Sequence, residues 1–314
     1  MINIQKCAII GCGFVGSTTA FTLVENGMFS ELVLLDIDQK KAKGEAMDLN
    51  HGLPFAKPVH VYAGNYDDLK DCSLVIIAAG ANQKTGESRI DLVNRNASIF
   101  KNIIPEITKR NSECILLIIS NPVDILTYIA LKISGFPPNR VIGSGTVLDT
   151  ARLKHLLGKK LKVDSRHIHA FIIGEHGDSE LAVWSSANVS GIDLTDFCNL
   201  RGRTDSAKMM EQLYREVRDS AYKIIEGKGA TYYAIAMATS RIVECIVRDE
   251  HSVLPVSSFI YNHYGIQDVC MGIPSIVGKR GIETVLDIPL NDEEQKRLLE
   301  SANTLKQILT EIKL

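Results

Sequence analysis

The sequence predicts an α/β chain: a doubly wound parallel sheet first, then an α+β region. Three observations carry that expectation. Short apolar runs alternate with amphipathic ones over about the first 140 residues. The apolar runs, such as LVIIAA at 74–79, are hydrophobic without alternation, as strands covered on both faces are. Past about Gly143 the alternation gives way to long helices and a β-rich meander.

In order, the strands expected in the first part are Cys7–Ile10, Glu31–Leu35, Val59–Ala63, Leu74–Ala78 and Cys114–Ile119. Helical periodicity falls at Phe14–Met28, Gln39–Asn50 and Arg89–Lys109, and a further helix is expected from Pro122. Beyond Gly143 the pattern predicts a helix at Val147–Leu157, strands at Ile168–Ile173 and Leu181–Ala187, and helices at Ser206–Glu226 and Ala230–Arg248. A meander follows from Ser252 to Leu286, turning at HYGIQ and GKRG. The last helix, Asp292–Ile312, stripes Leu298, Leu299, Leu305, Ile308 and Leu309 along one face. The expected division is residues 1–143 and 144–314, packed together.

The 314 residues include 45% hydrophobic and 23% charged side chains, enough for a sizeable core. Thirty-five basic residues against 37 acidic ones give a net charge of −2, which argues against nucleic acid or an anionic membrane as partner. No run approaches the ~20 apolar residues of a membrane span. The seven cysteines form no C-x-x-C pair and read as buried thiols of a reducing, cytoplasmic compartment. The N-x-[ST] matches at Asn96 and Asn188 are therefore read as chance.

The first chemical motif joins a strand to a helix: Gly11-Cys12-Gly13-Phe14-Val15-Gly16. In that context Gly11 permits a tight turn, Gly13 a close approach of backbone to a pyrophosphate, and Gly16 helix–strand packing. The helix N-terminus then presents partial positive charge to the phosphates. Asp36 ends the second strand, 36 − 16 = 20 residues on. A carboxylate there binds ribose hydroxyls and repels a 2′-phosphate, and Ile37 offers no cation, so NAD is favoured over NADP.

Four further segments carry polar chemistry. The loop GANQKTGESR, 80–89, leaves the fourth strand at the ligand-binding edge of the sheet and could act as a lid bringing Arg89 over a substrate. Asn121, before a proline and so extended, is placed to orient a carbonyl or a ribose. Asp149 and Arg152 are i, i+3 on one helix face. GEHGDSE, 174–180, gathers His176 with Glu175, Asp178 and Glu180. Each also has an ordinary reading: a surface arginine, a turn asparagine, a surface ion pair, a polar turn. Zinc ligands come as spaced His/Cys sets, and none adjoins His176 in the sequence, so no metal is expected.

Together GCGFVGS, Asp36, GANQKTGESR, NPVD, LDTARL, GEHGDSE and KGATYYAIAMA resemble, in order and spacing, the bacterial-type L-lactate dehydrogenases of the lactate/malate dehydrogenase superfamily. The resemblance runs from residue 7 to 238. It implies a Rossmann-type NAD-binding domain over 1–143 and a C-terminal α+β substrate domain over 144–314. It implies NAD(H) binding by Gly11, Gly13, Phe14, Val15, Gly16, Asp36, Gly80, Ala81, Asn121 and Ile235. It implies that His176 exchanges the proton, Asp149 holds its ring, Arg152 binds the substrate carboxylate and Arg89 polarises the carbonyl. Asn121 and Thr231 would line the same pocket. Gln83 would read the group beyond the carbonyl. Malate dehydrogenases carry an arginine there, and a neutral glutamine leaves a second carboxylate unpaired, at a cost of several kcal/mol. Pyruvate/L-lactate is thus favoured over oxaloacetate/L-malate, with other L-2-hydroxy acids as a further alternative. The resemblance also implies a homotetramer. It implies fructose 1,6-bisphosphate activation through Lys154 and His169, although lysine stands where many relatives carry arginine, and a lysine cannot fork a phosphate.

Overall fold

Elements fall where local chemistry starts and stops them, in a computed structural model that describes residues 3–81 and 89–312. The first part runs β1 (Asn3–Ile10), α1 (Phe14–Asn26), β2 (Glu31–Leu35), α2 (Gln39–Gly52), β3 (His60–Ala63), β4 (Cys72–Ile77), α3 (Arg89–Thr108), β5 (Ile115–Ile118), α4 (Val123–Ser134) and β6 (Val141–Gly143). Then come α5 (Val147–Leu161), β7 (Ile168–Ile173), β8 (Leu181–Val189), β9 (Ile192–Asp193), α6 (Leu194–Leu200), α7 (Ser206–Lys228) and α8 (Tyr233–Val247). The chain closes with β10 (Ser252–His263), β11 (Ile266–Gly278), β12 (Gly281–Val285) and α9 (Asp292–Glu311).

Helix ends follow their capping residues. Asp38 accepts the Lys40 and Lys41 N–H groups at the start of α2, and Asn291 with Glu294 forms a capping box at α9. Gly27 and Gly229, both left-handed, end α1 and α7. Because α7 stops at Gly229 and Tyr232 departs from helical geometry, α8 begins at Tyr233, three residues past the expected Ala230. Pro122 is extended and α4 begins after it, at Val123.

Strands β3-β2-β1-β4-β5-β6 are parallel in that order, the doubly wound arrangement the apolar runs predict. The sheet does not end at β6. Strand β10 pairs antiparallel with it, Ser257 opposite Gly143, and β11 and β12 extend the sheet to nine strands. The C-terminal meander is thus welded to the first half. A separate antiparallel sheet is β7-β8-β9.

One face of the large sheet packs Phe100, Ile104 and Ile107 of α3, Leu126 and Ile129 of α4, and Leu305 of α9. The other packs Ala20 and Leu23 of α1, Ala42 of α2, and Ile242 and Val243 of α8. A smaller core joins Leu153 and Leu157 of α5 to Ile172, Leu213 and Val217. All seven cysteines are buried and unpaired. Asn96 is 1% exposed, so its N-x-[ST] match is closed to glycosylation. No helix among the described residues is long and apolar enough to cross a membrane.

Candidate active site

The glycine loop divides into two tightly packed positions and one open one. A Cβ on Gly11, at φ +101°, would lie 2.6 Å from the Ala79 nitrogen, and one on Gly16 would lie 1.8 Å from the Gly11 oxygen. At Gly13 nothing among the described residues lies within 4 Å. The space is at the start of α1, where no side chain caps the helix. The N–H groups and dipole of the helix start therefore face an open cradle, which fits a pyrophosphate. Asp36 ties the cradle to β2: its carboxylate accepts the Cys12 N–H at 2.7 Å and the Asp38 N–H at 2.9 Å. Val15 and Ile235, the latter in the first turn of α8, pack against the same core. Phe14 is exposed and stacks on Tyr232 at 5.3 Å, which brings the loop holding Thr231 against the cradle.

Gly80 and Ala81 follow β4. The Ala81 N–H donates to Asn96 Oδ1 at 2.8 Å, and Asn96 Nδ2 donates to the Asn121 carbonyl at 2.8 Å. One buried amide thus fixes both loop starts at the carboxyl edge of the sheet. The sequence offered no signal for this role of Asn96 beyond its place on the inner face of α3. Asn121 is exposed, with a cis peptide to Pro122. Gln83 and the Arg89 side chain lie outside the described residues.

The loop from β7 to β8 carries GEHGDSE. Gly174, at φ +95°, exchanges two 2.8 Å backbone bonds with Gly272 of β11. The Glu175 N–H donates to Ser301 Oγ of α9 at 2.8 Å. In this seat the His176 N–H donates to Asp124 Oδ2 at 2.7 Å, and Ser257 donates to Asp124 Oδ1 at 2.6 Å. His176 Nδ1 donates to Asp149 Oδ2 at 2.5 Å, while Arg152 Nη1 donates to Asp149 Oδ1 at 2.7 Å. Among the described residues nothing bonds to Nε2 of the imidazole. Asp149 sits in the first turn of α5, where the helix dipole favours its charge.

Burial opposes the imidazolium, but the Asp149 carboxylate outweighs it and pushes the His176 pKa up to about 9. Burial likewise opposes Asp149 ionisation, yet His176 and Arg152 hold its carboxyl below the usual range. Asp124, buried, is pushed up to about 6. The pair is thus an imidazolium–carboxylate at neutral pH, beside an arginine.

Glu175 is buried and accepts the Ser179 hydroxyl at 2.5 Å, and Asp178 accepts Tyr222 at 3.3 Å, so both shape the turn. Glu180 is a departure from the sequence reading: its carboxyl comes within 4.8 Å of Asp149 and His176. The three groups would match a metal cage by composition alone. His176 Nδ1 is already spent on Asp149, and Asp149 on Arg152, so the geometry is that of an acid–imidazole pair. A second cluster, Asp249, His251 and Glu283, has its carboxylates on Lys279 and Arg280. Lys154 of α5 is half-buried, its pKa lowered by burial, and His169 of β7 is exposed.

A dinucleotide cradle in the first half of the chain and an acid-paired histidine beside an arginine in the second define the class of nicotinamide-dependent dehydrogenases. Comparison with known proteins narrows this. Residues 5–143 match the family model for the lactate/malate dehydrogenase NAD-binding domain, and 146–313 the model for its alpha/beta C-terminal domain. The L-lactate dehydrogenase of Acetivibrio thermocellus is 56% identical over 98% of this chain and 96% of its own length. L-lactate dehydrogenase 1 of Clostridium acetobutylicum is 52% identical over 98% of each chain. Among solved structures, MGS-M5, a lactate dehydrogenase from a Medee basin deep-sea metagenome library, has a TM-score of 0.95 at 46% identity, covering 99% of both chains. The minor L-lactate dehydrogenase of Enterococcus mundtii, in its ligands-bound form, has a TM-score of 0.95 at 41% identity and 99% coverage of both. The chain belongs to the lactate/malate dehydrogenase family.

Proposed function

We propose that this protein is an NAD-dependent L-lactate dehydrogenase that interconverts pyruvate and L-lactate at the end of glycolysis, in fermentation. The observation that carries the reading is the His176–Asp149–Arg152 constellation on the same chain as the open Gly13 cradle. Neutral Gln83 selects the pyruvate branch of the family over oxaloacetate.

NADH, held by Gly11, Gly13, Phe14, Val15, Gly16, Asp36, Gly80, Ala81, Asn121 and Ile235, supplies a hydride when bound. The remaining chemistry belongs to the chain. Arg152 has donors beyond the Nη1 spent on Asp149, and its planar fork binds the substrate carboxylate. His176 donates the proton on Nε2 to the carbonyl oxygen as alkoxide charge grows there, and takes it back in the reverse direction. Asp149 fixes the ring and stabilises the imidazolium, while Arg89 and Asn121 polarise and orient the carbonyl. Thr231 narrows the pocket. Residues 1–143 act as the NAD-binding unit and 144–314 carry the substrate side.

A steady-state panel with NADH tests the reading: pyruvate is turned over with the highest kcat/KM, ahead of oxaloacetate and 2-oxoisocaproate. Preference for oxaloacetate would overturn it. We further propose a cytoplasmic homotetramer, checked by its mass in solution. Fructose 1,6-bisphosphate, bound through Lys154 and His169, activates it. Pyruvate saturation curves that superimpose with and without the sugar would refute that activation.

A further inference from the structure

Glu180 ends the active-site loop and is 3% exposed. Among the described residues its buried Oε1 has no hydrogen-bond partner. The residue is held from behind: its backbone carbonyl accepts the Tyr214 hydroxyl of α7 and Arg297 Nη2 of α9. A carboxyl oxygen comes within 4.8 Å of both the Asp149 carboxylate and a His176 ring nitrogen. An ionised carboxylate there would be desolvated, short of a donor and beside a second buried negative charge. Protonation removes the desolvated charge and its repulsion by Asp149.

The charged groups around it come from several elements. Asp149 and Arg152 face it from α5, and His176 from its own loop. Arg218 lies on α7, and Asp124 on α4 behind His176. Burial and Asp149 raise the Glu180 pKa, outweighing His176, Arg152 and Arg218, to about 8. With Asp149 at −1, Arg152 at +1 and the donor form of His176 at +1, a neutral Glu180 leaves the pocket at +1. An ionised Glu180 leaves it at zero, and at −1 once an anionic substrate enters.

Building on the proposed pyruvate reduction, we infer that Glu180 works as a protonated, uncharged carboxyl whose neutrality leaves the His176–Asp149–Arg152 pocket one positive charge in excess, matched to the single carboxylate of a 2-oxo acid. It acts through the charge of its neighbours, as a positioning residue.

Two measurements test it on the intact enzyme. In the wild type, kcat/KM for pyruvate falls first through the Glu180 ionisation and then through that of His176, steepening toward a slope of about −2 on log–log axes. The Glu180→Gln variant retains a single fall, with a slope of about −1, and its KM no longer rises before kcat does. A packing defect would lower activity without removing an ionisation. Independently of turnover, infrared difference spectra between neutral and alkaline pH lose the carbonyl stretch of one protonated carboxyl in the wild type and none in Glu180→Gln. A wild-type profile with one ionisation, a variant that keeps both, or spectra without that band would overturn the inference. Absent pyruvate turnover at neutral pH would instead strike the substrate reading, while the infrared result still decides the protonation of Glu180.

Discussion

Replacing Asp149 by asparagine removes one charge and leaves the volume of the site unchanged. The carboxylate accepts from His176 Nδ1 at 2.5 Å and from Arg152 at 2.7 Å, with the Asp149 side chain only 3% exposed. It lifts His176 from 6.5 to about 9, a difference worth about 3 kcal/mol between the two protonation states. Without it, burial dominates and the His176 pKa falls below 6.5. At neutral pH the donor form drops from nearly all of the enzyme to a minority. The amide can also present an N–H to Nδ1 and select the wrong tautomer. The two effects together lower kcat/KM for pyruvate at pH 7 by about 10²- to 10³-fold. The assay is NADH absorbance across the pH range for both proteins. Wild-type reduction falls as pH rises through the Glu180 and His176 ionisations near 8 and 9, and the variant's His176 limb moves below about 6.5. A variant that keeps its limb near 9 and loses less than about threefold in activity would refute the role given to Asp149.

Other outcomes follow from the same geometry. Gly13→Ala keeps the thermal midpoint but weakens NADH binding at least tenfold by fluorescence titration, since its Cβ meets nothing until a ligand arrives. Gly16→Ala loses both, because its Cβ would sit 1.8 Å from a backbone oxygen. Asn96→Leu is destabilised by about 1–3 kcal/mol in urea unfolding, having left the Ala81 N–H and the Asn121 carbonyl unpaired, and its KM for NADH rises. Stability declines as pH is raised from about 6 to 9.5. His176 titrates near 9 folded against 6.5 unfolded, and Glu180 near 8 against 4.5, so the folded state binds more protons and their contribution is lost as pH rises through the folded values. Calorimetry with a flat midpoint over that window would contradict these assignments.

Much of the fold was legible because its signals are local. Apolar runs located the seven strands β1–β5, β7 and β8 to within a few positions, and Gly229, Asn291 and Gly27 mark helix ends by their own chemistry. Strand β6 escaped, being three residues long, as did α6 and the two-residue β9. The antiparallel weld of β10 to β6 escaped too, since it rests on one pairing, Ser257 with Gly143, across more than a hundred residues. At the site, motif spacing placed His176, Asp149 and Arg152 as candidates, but only tertiary structure brings an imidazole to a carboxylate 27 positions earlier. Asp124, Asn96 and Glu180 were illegible as site residues for one reason: their effect comes from burial against distant segments.

Asp124 has a consequence for the order in which the chain becomes competent. Its carboxylate accepts from the His176 backbone and from Ser257, so the seat of the histidine is completed by a strand made long after the histidine itself. A nascent chain released as far as α4 holds the material of the dinucleotide cradle. The proton donor gains its seat only when β10 has emerged and joined the sheet. A chain cut short ahead of Ser252 would lack Ser257, and with it the donor that holds Asp124 Oδ1 under the His176 backbone.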